Sequence, residues 1–147
     1  MIPENKLSHL RKIQKKCVRN LVGTTYNAHT DPIFHELGIL KCDDLLYLQA
    51  QSLMYKYHNG LLPTSFDKMF IPLSNQNRTL SYKQPLIAMN RLQKFPAYFL
   101  PKFWNSLPQN LKVKTSHRAF LRTIKNNALE KYSEFKCIRK KCISCKE

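Results

Sequence analysis

The sequence predicts a mostly α-helical protein, a small irregular helical bundle followed by a basic tail that contains cysteines. Apolar residues recur at helical spacings in several segments, as on one face of an amphipathic helix. Only three glycines occur in 147 residues, so the positive-φ turns that β-hairpins use would be scarce. Hydrophobic residues make up 43% of the chain, enough for a folded core. We expect one helical domain over residues 1–132 and a tail over 133–147.

The segment 95–108 carries the densest apolar surface, with five aromatic residues that include the only tryptophan, Trp104. Its prolines predict that a short helix begins at Pro101 and is stopped by Pro108. Because clustered aromatic side chains are mostly buried, we expect a core helix here. The alternative is an exposed platform on which nucleic-acid bases stack beside cations such as Lys102.

A basic amphipathic helix is predicted near the N-terminus. Its apolar side consists of Leu7, Leu10, Ile13, Cys17, Val18 and Leu21, with Gly23 as the cap. We interpret Cys17 as a small core residue. The candidate nucleic-acid ligands on the basic side are Lys12, Lys15, Lys16 and Arg19. Contact with phosphate, contact with an anionic membrane and simple solvation remain open for this side, but an interfacial helix would carry Trp or Phe anchors.

Two further helix starts are marked by aspartates. Asp31 is predicted as an N-cap, with Pro32 at the first helical position and Gly38 at the end of the helix. Asp43 and Asp44 are predicted to cap the next helix, which should be the most buried one. The helical pattern then fades, so we expect a long loop over about Ser74–Lys94 that lies over the core, with a short strand inside it as an open alternative.

The final helix should begin after Thr115 or Ser116, either of which can act as its N-cap. Arg118, Arg122 and Lys125 follow at spacings of four and three, which places their side chains along one cationic stripe. We therefore add these three residues to the candidate nucleic-acid ligands.

The charge of the chain is strongly positive and unevenly distributed. The formal net charge is +16, and the stretch from Lys68 to Leu129 contains eleven Lys or Arg residues but no Asp or Glu. Such a stretch cannot neutralise itself with internal salt bridges, so we expect a polyanion as partner. The sequence has no apolar run long enough to cross a membrane. We expect an intracellular protein, nuclear or cytoplasmic, that does not use a membrane as partner.

The tail combines cations with three cysteines. Cys137, Cys142 and Cys145 have the spacing C-x4-C-x2-C, in which thiolates close in sequence can share one zinc ion. A closed site needs a fourth ligand, for which His117, Cys42 or water are candidates. Zinc binding and a tail without metal both remain open. The tail cations predicted to contact nucleic acid are Arg139, Lys140 and Lys141.

The sequence offers little for catalysis. Of the nine acidic residues only Asp43 and Asp44 are adjacent, and successive positions on a helix do not face each other. The chain has no phosphate-binding glycine loop, no G-x-S-x-G motif and no H-E-x-x-H motif. We expect that it is not an enzyme.

Five short motifs occur in a fixed order along the chain: Ile13–Arg19, Tyr26–Pro32, Glu36–Leu40, Met54–Pro63 and Trp104–Pro108. Together they resemble the region C-terminal to the polymerase core, the thumb and post-thumb region, in reverse transcriptases of non-LTR, LINE-like retrotransposons. The match departs from the family pattern at Leu100, where a glycine is usual, and it is loose over the predicted loop.

This resemblance implies a fragment that helps to hold template RNA and target DNA and lacks the catalytic aspartates of the parent RNA-directed DNA polymerase. It also implies a C-terminal cysteine-rich knuckle, which the three tail cysteines match in part. The expected partners are RNA or DNA, and the missing polymerase domain. The alternative is a structural remnant of a decayed element, which packs on that domain and binds no nucleic acid.

Overall fold

The computed structural model of the protein describes residues 4–73, 81–86, 95–113 and 116–134. These residues form six α-helices and one short 3-10 turn, and within them the only β pairing is an antiparallel bridge between Pro72 and Tyr82. The predicted mostly helical class is therefore confirmed. The elements are α1 (Glu4–Leu21), α2 (Asp31–Glu36), α3 (Cys42–His58), the 3-10 turn (Thr64–Phe66), α4 (Pro96–Asn105), α5 (Gln109–Lys112) and α6 (His117–Ser133).

The chain divides into two compact units. The central unit consists of the described residues within 46–122, which include most of α3, all of α4 and α5, and the beginning of α6. The terminal unit consists of residues 4–45 and 123–134, which include α1, α2, the beginning of α3 and the rest of α6. Residues 135–147 of the predicted tail lie outside the described residues. The predicted boundary between the helical domain and the tail therefore stays a prediction.

Helix α1 forms where the sequence predicts it, but it buries a different face. Leu7 and Val18 are buried, whereas Cys17 is exposed, so the interpretation of Cys17 as a core residue is wrong. The reason is Gln14, which shares a helix face with Leu7 and Val18. Its side chain donates to the carbonyl of Leu40 at 2.8 Å and accepts from the backbone N–H of Cys42, the first residue of α3, at 3.0 Å. A polar residue therefore lies in the buried seam.

Helix α2 corrects the prediction for Asp31. The helix already includes Asp31, and Thr30 occupies the N-cap position without a side-chain capping bond. The Asp31 carboxylate instead accepts from Lys41 Nζ at 2.7 Å. Gly38 ends the helix as predicted, with a φ of +61° that residues with a Cβ rarely adopt.

The predicted capping role of Asp43 and Asp44 is also wrong, because both lie inside the first turn of α3. The backbone N–H of Leu45 donates to the carbonyl of Lys41 at 2.9 Å, which places the start of the helix before the aspartates. Leu45 and Leu46 are exposed. The helix is buried chiefly further along, through Ala50, Gln51, Ser52, Met54 and Tyr55.

Helix α4 begins at Pro96, five residues before the predicted start at Pro101. Pro101 lies inside the helix and is buried, although it has no N–H to donate to the carbonyl of Ala97. Trp104 is 0% exposed, which confirms the core interpretation for this residue. Its ring lies 6.1 Å from that of Phe120 on α6, measured between centroids.

Residues 81–86, the described part of the predicted loop, are anchored on the central unit through Tyr82. The backbone of Tyr82 exchanges two hydrogen bonds with the side-chain amide of Asn105, at 3.0 and 2.8 Å. Its hydroxyl lies 2.9 Å from His58 Nδ1 on α3. Burial, together with the neighbouring Tyr57, raises the pKa of Tyr82 to about 12. The rest of the predicted loop lies outside the described residues.

Candidate nucleic-acid interface

The division into units concentrates the positive charge. The segment 46–122 contains eleven Lys or Arg residues and a single acid, Asp67. Among its described residues, the exposed cations are Lys68, Lys83, Lys102, Arg118 and Arg122, and Lys56 is half-buried. Exposed like charges on one compact unit repel each other and attract a polyanion. The central unit therefore has the electrostatic character of a phosphate-binding surface.

Lys112 differs from the other cations of the central unit. It is only 3% exposed, and its Nζ lies 5.9 Å from the centroid of the Trp104 ring. Burial lowers the pKa of Lys112, and the aromatic face attracts the ammonium group. We therefore assign Lys112 to the core of the unit and not to the interface.

Lys102 is exposed on α4 next to half-buried Phe103. An exposed Lys102 is compatible with the core helix and with the base-stacking platform. The ring of Phe103 packs edge to face against Tyr47 at 5.2 Å. Trp104, the largest aromatic side chain of the segment, has no surface left on which a base could stack. The base-stacking platform is therefore wrong as far as Trp104 is concerned, and Lys102 stays a candidate phosphate ligand.

The cations of α6 are exposed as the stripe requires. Arg118 and Arg122 belong to the central unit and Lys125 to the terminal unit, on one continuous helix. Within the part of the chain that the structure describes, no ion pair with an acidic side chain involves any of the three. The helix begins after Ser116, whose carbonyl accepts from the N–H of Phe120 at 2.9 Å. Of the two predicted caps, Thr115 lies outside the described residues.

On α1, three of the four predicted basic residues are exposed, and the fourth makes a hydrogen bond within the unit. Lys12, Lys15 and Lys16 are exposed. Arg19 is half-buried, and its Nε donates to the carbonyl of Ala28 at 2.9 Å. The three lysines therefore remain available to a polyanion, whereas Arg19 holds the segment after α1 in place.

The aspartates of the terminal unit are engaged in internal contacts. Arg11 donates two hydrogen bonds to Asp43, both at 2.7 Å, and its guanidinium holds the pKa of that carboxyl below its usual value. Asp44 accepts from the hydroxyl of Tyr132. Burial and this hydrogen bond raise the pKa of Tyr132. The two adjacent aspartates thus have separate partners, and they are not arranged as a general acid and base.

The zinc hypothesis concerns mainly residues outside the described ranges. Of the candidate fourth ligands, His117 Nε2 lies 2.9 Å from Ser52 Oγ, and Cys42 Sγ lies 3.1 Å from Gln14 Oε1. Among the described residues, no three His, Cys, Asp or Glu side chains cluster closely enough to hold a metal ion. The predicted tail residues not described are Cys137, Arg139, Lys140, Lys141, Cys142 and Cys145.

Lys83 is an exposed cation that the sequence analysis did not single out. Its backbone N–H donates to the carbonyl of Ile71 at 2.8 Å, so the two residues lie directly opposite each other beside the Pro72–Tyr82 bridge. Alternation of apolar and polar residues around Tyr82 was the only local sign of this pairing. The segment that pairs with it, around Pro72, precedes it by about ten residues, and no tight turn sequence marks the connection.

Over the described ranges, none of the helices combines the length and the apolar character that crossing a bilayer requires. Comparison with protein-family models, curated proteins and solved structures found no match to this sequence.

Proposed function

We propose that this protein is a nucleic-acid-binding module derived from the thumb and post-thumb region of a non-LTR retrotransposon reverse transcriptase, without polymerase activity of its own. The observation that carries the proposal is the charge of the segment 46–122, with eleven cations and only one acid. Nucleic acid presents a regular array of phosphates, and each contacted phosphate releases condensed counterions. A compact unit with this charge gains affinity from that release.

The placement of the cations supports the proposal further. Arg118 and Arg122 are one helical turn apart and exposed, so both can approach consecutive phosphates of one strand. Arginine donates in a planar fork that matches phosphate oxygens. The exposed lysines of α1 would add a second, independent set of phosphate contacts. The resemblance of the five ordered motifs supports the proposed ancestry.

Charge reversal at Arg118 and Arg122 tests the function. The double variant Arg118→Glu, Arg122→Glu removes two phosphate ligands, so the slope of log affinity against log salt should flatten by roughly 1.4–1.8 for single-stranded or duplex targets. The matched control is Arg118→Lys, Arg122→Lys, which keeps both charges and should keep the slope. Affinity measured by fluorescence anisotropy, with circular dichroism as a check of folding, gives the comparison. Equal slopes for wild type and the charge-reversed variant would exclude these arginines as phosphate ligands.

A second candidate function follows from an apolar stripe on α1. Leu10, Ile13 and Leu21 are exposed large hydrophobic residues, and exposed Cys17 lies on the same face of the helix. Exposed apolar stripes are typical of surfaces that pack on another protein. In this alternative the chain is a structural remnant that packs on the missing polymerase domain.

The alternative predicts binding to a separately purified polymerase core of a LINE-like reverse transcriptase. Ile13→Gln with Leu21→Gln should abolish that binding, whereas Leu37→Gln, an exposed leucine outside α1, should not. Retained binding by the α1 variant would exclude the stripe as the contact surface. In this alternative the wild-type chain binds no nucleic acid, which separates the two functions.

A further inference from the structure

The central unit contains an open groove of about 360 Å³ that the sequence analysis did not predict. The residues that line it include Phe70, Ile71, Lys83, Pro85, Leu86 and Ala97. This volume is at the lower end of the range for small-molecule sites, about 300–1,000 Å³. Among the described residues that line the groove, Lys83 is the only one with a charged side chain.

The backbone pairing fixes an apolar side chain next to a cation in this groove. Lys83 N–H donates to Ile71 O at 2.8 Å, and Leu73 N–H donates to Ser81 O at 3.0 Å. Side chains alternate between the two faces of paired strands, and directly opposite side chains share a face. Tyr82 points into the core. Ile71 and Lys83 therefore lie together on the face turned away from Tyr82.

The apolar walls of the groove are exposed to solvent. Ile71 is 63% exposed and Leu86 is fully exposed, whereas Phe70 beneath them is buried. An exposed apolar wall beside a single cation can bind a ligand that has a flat apolar face. The ligand also needs an anionic group that the lysine side chain can reach. A nucleotide has both features, in its base and its phosphate.

The charge of the chain favours a nucleic-acid strand over a second copy of the chain as the occupant of the groove. A second copy of this chain would bring the same excess of cations to the groove, so repulsion opposes self-association there. A nucleic-acid strand brings the opposite charge. A base in a duplex is stacked and paired, so only an unstacked base of a single strand can enter.

We propose that this groove binds one unstacked base of single-stranded nucleic acid, with the base against Ile71 and Leu86 and the adjacent phosphate on Lys83. The proposal rests on the proposed nucleic-acid-binding function and adds a preference for single strands to it. Phosphate contacts at Arg118 and Arg122 are indifferent to strandedness, whereas the groove is not.

Leu86→Ser in the full chain tests the groove, because removing a fully exposed leucine leaves the core intact. Loss of the apolar contact between this leucine and the base should lower affinity for a short single-stranded RNA about fivefold, and affinity for a duplex of the same length should not change. Lys83→Ala removes one phosphate contact, so the slope of log affinity against log salt should flatten by roughly 0.7 for single-stranded RNA. Leu61→Ser, at another exposed leucine of the same unit outside the groove, is the matched control and should change neither affinity.

The outcomes separate the two proposals. If wild type binds RNA with a steep salt dependence but Leu86→Ser has no effect, or weakens single-strand and duplex binding equally, the groove inference is overturned and the proposed function stands. If wild type binds no nucleic acid at low salt, both are overturned. If Leu86→Ser shifts the oligomeric state in gel filtration, the groove holds a second copy, and the base-binding inference is wrong.

Discussion

Replacement of Trp104 by alanine should destabilise the protein severely. Trp104 is 0% exposed, and its ring is surrounded by His58 at 5.5 Å, Phe120 at 6.1 Å and the Lys112 ammonium at 5.9 Å. Truncating a buried aromatic residue leaves a cavity and costs about 3–5 kcal/mol. Domains of this kind have total stabilities of about 5–15 kcal/mol. From about a fifth to all of the free energy of unfolding should therefore be lost.

Urea unfolding followed by far-ultraviolet circular dichroism measures this loss, because the variant has no tryptophan left for fluorescence. Phe95→Ala, at an exposed aromatic position just before α4, is the control and should change stability by about 0.5 kcal/mol or less. A loss below about 1 kcal/mol for Trp104→Ala would refute the buried position. In wild type, the emission of Trp104 should be unchanged when RNA is added, and quenching by RNA would restore the base-stacking platform.

Three other predictions follow from the contacts. Burial, and secondly a nearby lysine, lower the pKa values of His58 and His117 in the folded protein. As the pH falls through about 6.5, the usual histidine pKa, the unfolded chain therefore binds more protons than the folded protein. The free energy of unfolding should therefore fall between pH 7 and pH 5 in urea titrations, and a rise over this range would contradict the assignment. Tyr132→Phe leaves Asp44 and the Lys41 N–H without the hydroxyl, and the same titration should show a loss of about 1–3 kcal/mol; an unchanged midpoint would show that the hydroxyl contributes nothing. If the tail cysteines form a zinc knuckle, the double variant Cys142→Ser, Cys145→Ser should lose bound zinc and bind RNA more weakly at fixed salt, without loss of helix content. Wild-type protein that carries no stoichiometric zinc after purification under reducing conditions would exclude the knuckle.

Features that depend on neighbours in the sequence were predictable. The periodicity of apolar residues located α1 and α6, and Gly23 and Gly38 marked helix ends where the backbone adopts positive φ. Helix starts were less predictable, because Asp31 and Asp43 compete between capping their own helix and pairing with a distant cation. The structure resolves this competition in favour of Lys41 and Arg11.

Burial depends on tertiary packing and was predicted less well. Gln14 lies in the buried seam of α1 because two backbone groups satisfy its amide, and hydrophobicity alone assigns that seam to leucines and Cys17. The cation Lys83 gains its place in a groove only through pairing with Ile71, which no spacing rule connects to it. The exposed cations of α1 and α6, by contrast, follow from local helix geometry.

The central claim is that exposed cations bind nucleic acid through its phosphates, and its most direct test is the affinity of the wild-type chain for single-stranded RNA across a salt series. We expect tight binding at low salt and a linear fall of log affinity with log salt, with a slope of roughly −0.7 for each phosphate contacted. A slope of about −2 or steeper would support several contacts on the cationic surfaces. Affinity that does not change with salt, or no binding at low salt, would contradict the claim.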